Sequence, residues 1–177
     1  MSGISIEVPE EIFDAYFFAE KKVTLRSSPE RDFQWEYPYF DYEIQYYNGE
    51  SLPYAPWNDI EHAVSAILCM WREVEGELAT LLKERSSKVE IVMKKGIALY
   101  YMLLFWSNAK PVKLHNWIGE LENLPIKPVN VKDRLLFVRE NIRLYHSYIQ
   151  LSQLFGEHHK QFAKCISLEK SLRKNSF

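Results

Sequence analysis

The sequence predicts a mainly all-α protein: a compact antiparallel helical bundle carrying an extended, aromatic N-terminal arm. Three observations lead there. From residue 58 onward apolar residues recur at spacings of three and four, the signature of amphipathic helices. One stretch, Gly96 to Trp106, is apolar nearly all round, as the central helix of a bundle must be. Phe33 to Trp57 instead crowds aromatics and prolines together.

Pro9-Glu10-Glu11 ahead of Ile12, Phe13, Tyr16 and Phe17 reads as a short amphipathic helix, since proline and early carboxylates suit a helix start. Ser27-Ser28-Pro29 breaks it. Phe33, Trp35, Tyr37, Tyr39, Phe40, Tyr42, Tyr46, Tyr47, Tyr54 and Trp57 follow. Tyr42, Ile44 and Tyr46 alternate ahead of Asn48-Gly49, the pattern of one half of a minor hairpin. Pro53 and Pro56 make the returning segment a poor strand. Residues 1–57 therefore read as an arm packed by its rings over the bundle at 58–177, within one domain.

The bundle begins at Asn58, which with Glu61 resembles a capping box. Ile60, Val64, Ile67, Leu68, Trp71, Val74, Leu78 and Leu81 form the apolar stripe of a helix to about Arg85. Ser87-x-x-Glu90 marks the start of the central helix, ended by Asn108 to Pro111. A short helix around Trp117 to Leu121 precedes a break at Pro125 and Pro128. Asn130-x-x-Asp133 opens another, and the longest pattern runs from about Ile142 towards Leu172. Short connections favour antiparallel neighbours.

Charge is unevenly spread. The whole chain carries −2, but residues 1–57 hold 11 Asp/Glu against 4 Lys/Arg, and residues 58–177 hold 13 against 18. The simplest reading lays the acidic arm on the basic bundle. The alternative gives the basic part an anionic partner. Lys110, Lys113, Lys127, Lys132, Arg134, Arg139 and Arg143 gather around two loops and a helix, with Trp106 and Trp117 nearby in sequence. Such loops can hold a phosphate backbone and stack bases. On that alternative, deleting residues 1–56 should strengthen salt-sensitive DNA binding.

Catalytic and metal motifs do not emerge. Cys69 and Cys165 form neither a disulfide framework nor a zinc pattern, and read as buried thiols in a reducing compartment. Asp59-x-x-His62 lacks the paired Glu-x-x-His motifs of a di-metal bundle. His158 and His159 diverge on a helix, and the histidines His62, His115, His146, His158 and His159 read as surface or satisfied groups. Glu73, Glu75 and Glu77 spread around a helix as a solvated surface. Gly-x-Ser-x-Gly, Gly-x-Gly-x-x-Gly and the Walker loop are missing. A small polar site at Tyr145, His146 and Gln150 is the least favoured functional reading. No cofactor, metal or membrane span is expected, the longest apolar run being far short of ~20 residues. A signal peptide is not apparent, so a cytoplasmic protein is expected.

The blocks Lys95-Gly-Ile-Ala-Leu-Tyr-Tyr-Met-Leu-Leu-Phe-Trp106, Asn108-Ala-Lys-Pro-Val112, Leu124-Pro-Ile-Lys-Pro-Val-Asn130, Asp133-Arg-Leu-Leu-Phe137 and Tyr145-His-Ser-Tyr-Ile-Gln-Leu151 resemble the YpoC-like family of Bacillus and relatives. The likeness spans about residues 57–168. It is most specific in Phe-Trp-x-Asn-x-Lys-Pro-Val and Lys-Pro-Val-Asn. It implies neither an activity nor a catalytic residue. Genes of the family often sit beside those of a DnaD-type replication protein and an endonuclease III, which implies a link to DNA metabolism by association. The leading expectation is a non-enzymatic interaction or accessory protein, binding an unknown protein partner through its arm or a bundle groove. The oligomeric state stays open.

Overall fold

The computed structural model describes residues 3–25 and 37–176; Ser27-Ser28-Pro29, Phe33 and Trp35 lie outside them. In chain order come β1 (Ile4–Glu7), β2 (Lys22–Leu25), α1 (Asp41–Tyr47), a 3-10 turn (Pro56–Asn58), α2 (Ile60–Lys83), α3 (Val89–Trp106), α4 (Trp117–Glu120), a second 3-10 turn (Leu121–Asn123), α5 (Val131–Glu140) and α6 (Tyr145–Lys174). The protein is mainly α, with compact helical packing and one antiparallel two-stranded hairpin, Ile4 opposite Leu25 and Glu7 opposite Lys22.

α3 is the hub. Every residue from Gly96 to Trp106 is buried, as its all-round apolar sequence predicts. Each large side chain withdrawn from water there contributes roughly 1.5–3 kcal/mol before conformational entropy is charged against it. α2 and α6 flank α3 and meet through Trp71 and Phe155, whose rings stack 4.1 Å apart at 5°. Gly96 is what lets α3 approach this stack. A Cβ there would lie 2.9 Å from Trp71 Cζ3 and 3.2 Å from Leu151 Cδ2. The Trp71 ring is clamped by Phe155 and cannot yield cheaply. Gly96→Ala is therefore expected to destabilise by about 1–2 kcal/mol, overpacking outweighing the helix-propensity gain. Equal or higher stability in urea unfolding would show that the stack gives way.

The arm differs from its sequence reading in three places, the first being that its hairpin pairs Ile4–Glu7 with Lys22–Leu25 and does not involve Tyr42 to Gly49. Residues 9–18 form two separate turns, not a helix. Ile12 and Phe13 donate to the Pro9 carbonyl, and Phe17 and Phe18 to that of Asp14. Asp14 is the cause: its Oδ1 accepts the Tyr16 N–H at 2.9 Å, a local turn that competes with helical bonding. The third difference is α1, a helix where alternation suggested a strand. Asn48-Gly49 closes this helix instead of turning a hairpin. The Glu50 N–H bonds to the Gln45 carbonyl at 3.0 Å and the Gly49 N–H to that of Tyr46 at 3.0 Å, with Gly49 at φ +77°. That is a Schellman cap, which wants the same residues as a hairpin turn.

The capping signals also shift. Asn58 belongs to the 3-10 turn, and α2 starts at Ile60 without a side-chain cap. Before α3, Ser86 rather than Ser87 accepts a backbone N–H, that of Lys88. Asn130 precedes α5 in the left-handed region at φ 55°, without capping through its side chain. Asparagine tolerates that conformation better than most residues. Ile12, Phe18, Phe40, Tyr42 and Ile44 from the arm belong to the same apolar cluster as α2, α3 and α6. Tyr37 and Tyr46 face solvent. Cys69 is exposed and Cys165 half-buried, so neither is the fully buried thiol expected: Cys69 falls on the far side of α2 from Ile67, Trp71 and Val74, and Cys165 lies beyond Phe162, the last buried residue of α6.

Candidate functional site

The segment Phe105-Trp106-Ser107-Asn108 at the end of α3 anchors three parts of the chain in succession. Trp106 Nε1 donates to Glu43 Oε1 of α1 at 2.6 Å. Ser107 Oγ lies 2.7 Å from His158 Nε2 of α6. Asn108 holds the loop after the second 3-10 turn, donating to the Ile126 carbonyl at 2.8 Å and accepting its N–H at 2.8 Å. Val112 continues the pattern, its N–H reaching Glu43 Oε1 at 3.0 Å and its carbonyl accepting the Tyr47 hydroxyl at 3.2 Å.

Glu43 is wholly buried, and its Oε2 has no hydrogen-bond partner. Burial pushes its carboxyl up from 4.5 to about 7, against the pull of Trp106 and Val112. His158 is also buried; burial lowers it from 6.5 to about 4, so it is neutral, with Nδ1 unpartnered. A serine and a neutral imidazole at hydrogen-bond distance form a nucleophile–base pair in principle. Ser107 is 4% exposed and His158 0%, so no substrate reaches either. The pair works as a latch between α3 and α6.

The expected basic surface is largely occupied from within. Arg134 pairs with Glu157 through two bonds of 2.7 and 3.0 Å and also donates to Gln150 at 3.0 Å. Arg139 pairs with Asp14 of the arm at 2.7 Å, Arg143 with Glu90 at 2.6 Å, and Lys113 with Glu120 at 2.9 Å. Lys110 and Lys127 donate to the carbonyls of Asn123 and Leu121. Lys132 stands exposed. Trp106 and Trp117 are buried in the core. Deleting residues 1–56 would remove Ile12, Phe18, Phe40 and Ile44, each at most 1% exposed. Such a truncation tests core integrity before it tests DNA binding.

Tyr145, His146 and Gln150 are not drawn into one cavity among the described residues. Tyr145 is exposed beside Tyr148 and lines a cleft of about 450 Å³ with Arg85, Glu90 and Arg143. His146 is exposed, while Gln150 serves Arg134. Glu75, expected on a solvated face, is half-buried and accepts the Ser152 hydroxyl.

The feature that sequence did not single out is a groove of about 470 Å³ between α2 and α6. Val64, Leu68, Phe162 and Ile166 give it an apolar floor, with Ser65, Cys69 and Ala163 open to solvent. The two helices run antiparallel along it. Glu61 meets Lys170 at 3.3 Å at one end, and Trp71 stacks on Phe155 beyond the other. Past Ile166, α6 exposes Leu168 and Leu172, 54% and 68% accessible. Val64 and Leu68 lie in the stripe read as core. How far α6 covers that stripe is a tertiary matter that spacing alone does not reveal. Among the described residues, no helix is long and apolar enough to cross a membrane.

The YpoC-like protein family model matches residues 61–170. The Bacillus subtilis (strain 168) protein called "Uncharacterized protein YpoC" is 30% identical over 150 residues, 82% of each chain. The chain belongs to the YpoC-like family. No solved structure matches. The stretch that carries the resemblance most specifically, Phe105 to Val112, is the same stretch that ties α1, α6 and the loop at Ile126 to α3.

Proposed function

We propose that this chain acts in the cytoplasm as a non-enzymatic accessory protein, binding another protein through the groove between α2 and α6. The observation that carries this reading is the groove itself. It is a trough in which half-buried Leu68 and Ile166 overlie buried Val64 and Phe162, with Ser65, Cys69 and Ala163 open to water along its walls. Apolar recesses rimmed by polar residues are where partners bury their anchors. The nucleic-acid alternative asks for cations available to phosphates, and six of the seven candidates already bond to carboxylates or carbonyls of the same chain.

The test is in-cell photo-crosslinking from Ser65 in the groove and from Ile91, an exposed apolar residue on α3. Ser65 is expected to give a discrete adduct with another protein that Ile91 does not give, and Ala163→Glu should abolish it without lowering Tm. Equal adducts from both positions, or none from Ser65, would sink the reading.

A further inference from the structure

Resting on that groove as a protein interface, we infer that the partner presents an acidic amphipathic helix of about three turns. Length comes first. The α2 wall from Glu61 to Arg72 spans about 16 Å at 1.5 Å per residue, which matches roughly eleven residues of a helix laid alongside. The secondary structure follows from the walls. Both are helices whose backbone groups are satisfied internally, so an extended strand would find no edge to pair with. A helix brings its own hydrogen bonds and needs only apolar side chains at i, i+3 or i+4, and i+7 to fill the floor.

Charge selects the sign. On the face of α6 that carries Phe162, Ala163 and Ile166, the helix continues with Lys170, Arg173 and Lys174 beside the single acid Glu169. Arg72 and His159 line the other end of the groove. Glu61 and Lys170 offset each other as an ion pair, which leaves Arg72, Arg173 and Lys174 against Glu169. Carboxylates flanking the partner's apolar stripe would meet this rim favourably and be steered toward it. Leu168 and Leu172 are exposed on another face of α6, at helical spacing well away from Phe162, Ala163 and Ile166, and take no part in the groove. A second copy of the chain would bring an identical basic segment into contact, and like charges disfavour it. A bilayer is equally ill-suited, since the floor lies in a trough between two helices whereas a lipid surface calls for a protruding apolar face.

The probe is a displayed library of helix-stabilised peptides of 12 to 14 residues, about the length above with a turn to spare. It is selected on the full-length protein and counter-selected on the Ala163→Glu variant. The recovered peptides are expected to be net acidic with apolar residues at helical spacing. They should bind at least tenfold more weakly to Ala163→Glu, and more weakly as salt is raised. A recovered pool that is basic or uncharged, or no Ala163-dependent peptide, overturns the inference. So does concentration-dependent dimerisation, or binding to anionic lipid vesicles, that Ala163→Glu removes. If Ser65 still crosslinks a protein in cells while no acidic helix is selected, the interface reading stands and the acidic helix falls. If Ser65 yields no adduct, both fall.

Discussion

Arg139→Ala is expected to destabilise the protein by about 4 kcal/mol, because this one guanidinium fastens the arm to the bundle. It projects from α5, with its side chain only 13% exposed. One arm of the fork donates to Asp14 Oδ2 at 2.7 Å and another to the Tyr101 hydroxyl at 2.8 Å. Its central carbon lies 4.4 Å from the Tyr16 ring centroid, 5.5 Å from Trp117, 5.8 Å from Phe17 and 5.9 Å from Tyr101. Truncation therefore removes a cation enclosed by four rings and leaves the Asp14 carboxylate, itself 17% exposed, with the Tyr16 N–H on Oδ1 but no cation at Oδ2. Stranding one partner of a buried pair costs roughly 3–5 kcal/mol, and the ring contacts are worth about another 1 kcal/mol.

Two companion variants make the explanation specific. Arg139→Lys keeps the charge but not the planar fork, so it should lose about half as much. Combining Arg139→Met with Asp14→Asn removes both charges and should be less destabilising than Arg139→Met alone, since a buried pair replaced as a unit is often near neutral. Trp117 beside the guanidinium reports the unfolding by fluorescence. An Arg139→Ala loss under about 1 kcal/mol, or strict additivity in the double variant, would mean that the arm is held elsewhere.

These contacts mark where sequence reasoning runs out. The stripe from Ile60 to Leu81 and the apolar run from Gly96 to Trp106 were legible because helical period is a local property, expressed within a few turns. Arg139 reads as one of the cations available to a phosphate backbone because its carboxylate stands 125 positions away. Nothing local marks Glu43, for its burial is decided by Trp106, 63 positions on. Pro9-Glu10-Glu11 is a sound helix start by composition, yet the Asp14 side chain took the bond that would have propagated it. Asn48-Gly49 reads as a turn and is one. Whether it ends a strand or a helix depends on which residues inside face the core, and Tyr42, Glu43 and Ile44 all do. The groove is the same case at the surface, with Val64 and Leu68 recognised as apolar and the extent of their cover by α6 set by packing.

Glu43 gives the protein an unusual acid dependence. Its carboxyl is raised from 4.5 to about 7 in the folded state, so the native protein holds a proton that the unfolded chain releases. The stabilisation is fully present below pH 4.5 and is lost as pH rises through about 7. A difference of that size corresponds to roughly 3 kcal/mol. Asp41, lifted by burial to about 6, acts with the same sign. His158 acts against them. Its folded value of about 4 lies below the ordinary 6.5, so its contribution is present above pH 6.5 and fades as pH falls towards 4. Between about pH 4.5 and 6.5 the two effects oppose each other, and the wild-type profile is flatter than either group alone would make it. The comparison that isolates Glu43 is with Glu43→Gln, measured by urea unfolding from pH 5 to pH 8. The amide keeps an oxygen for Trp106 and Val112 and does not titrate. Glu43→Gln should therefore gain about 2–3 kcal/mol relative to wild type across that range, and it should be the more stable of the two at pH 8 if the charge is what the core resists. A difference between the two proteins that does not change with pH would show that Glu43 is not held protonated by the fold, and that the Trp106 bond is made by an ordinary carboxylate.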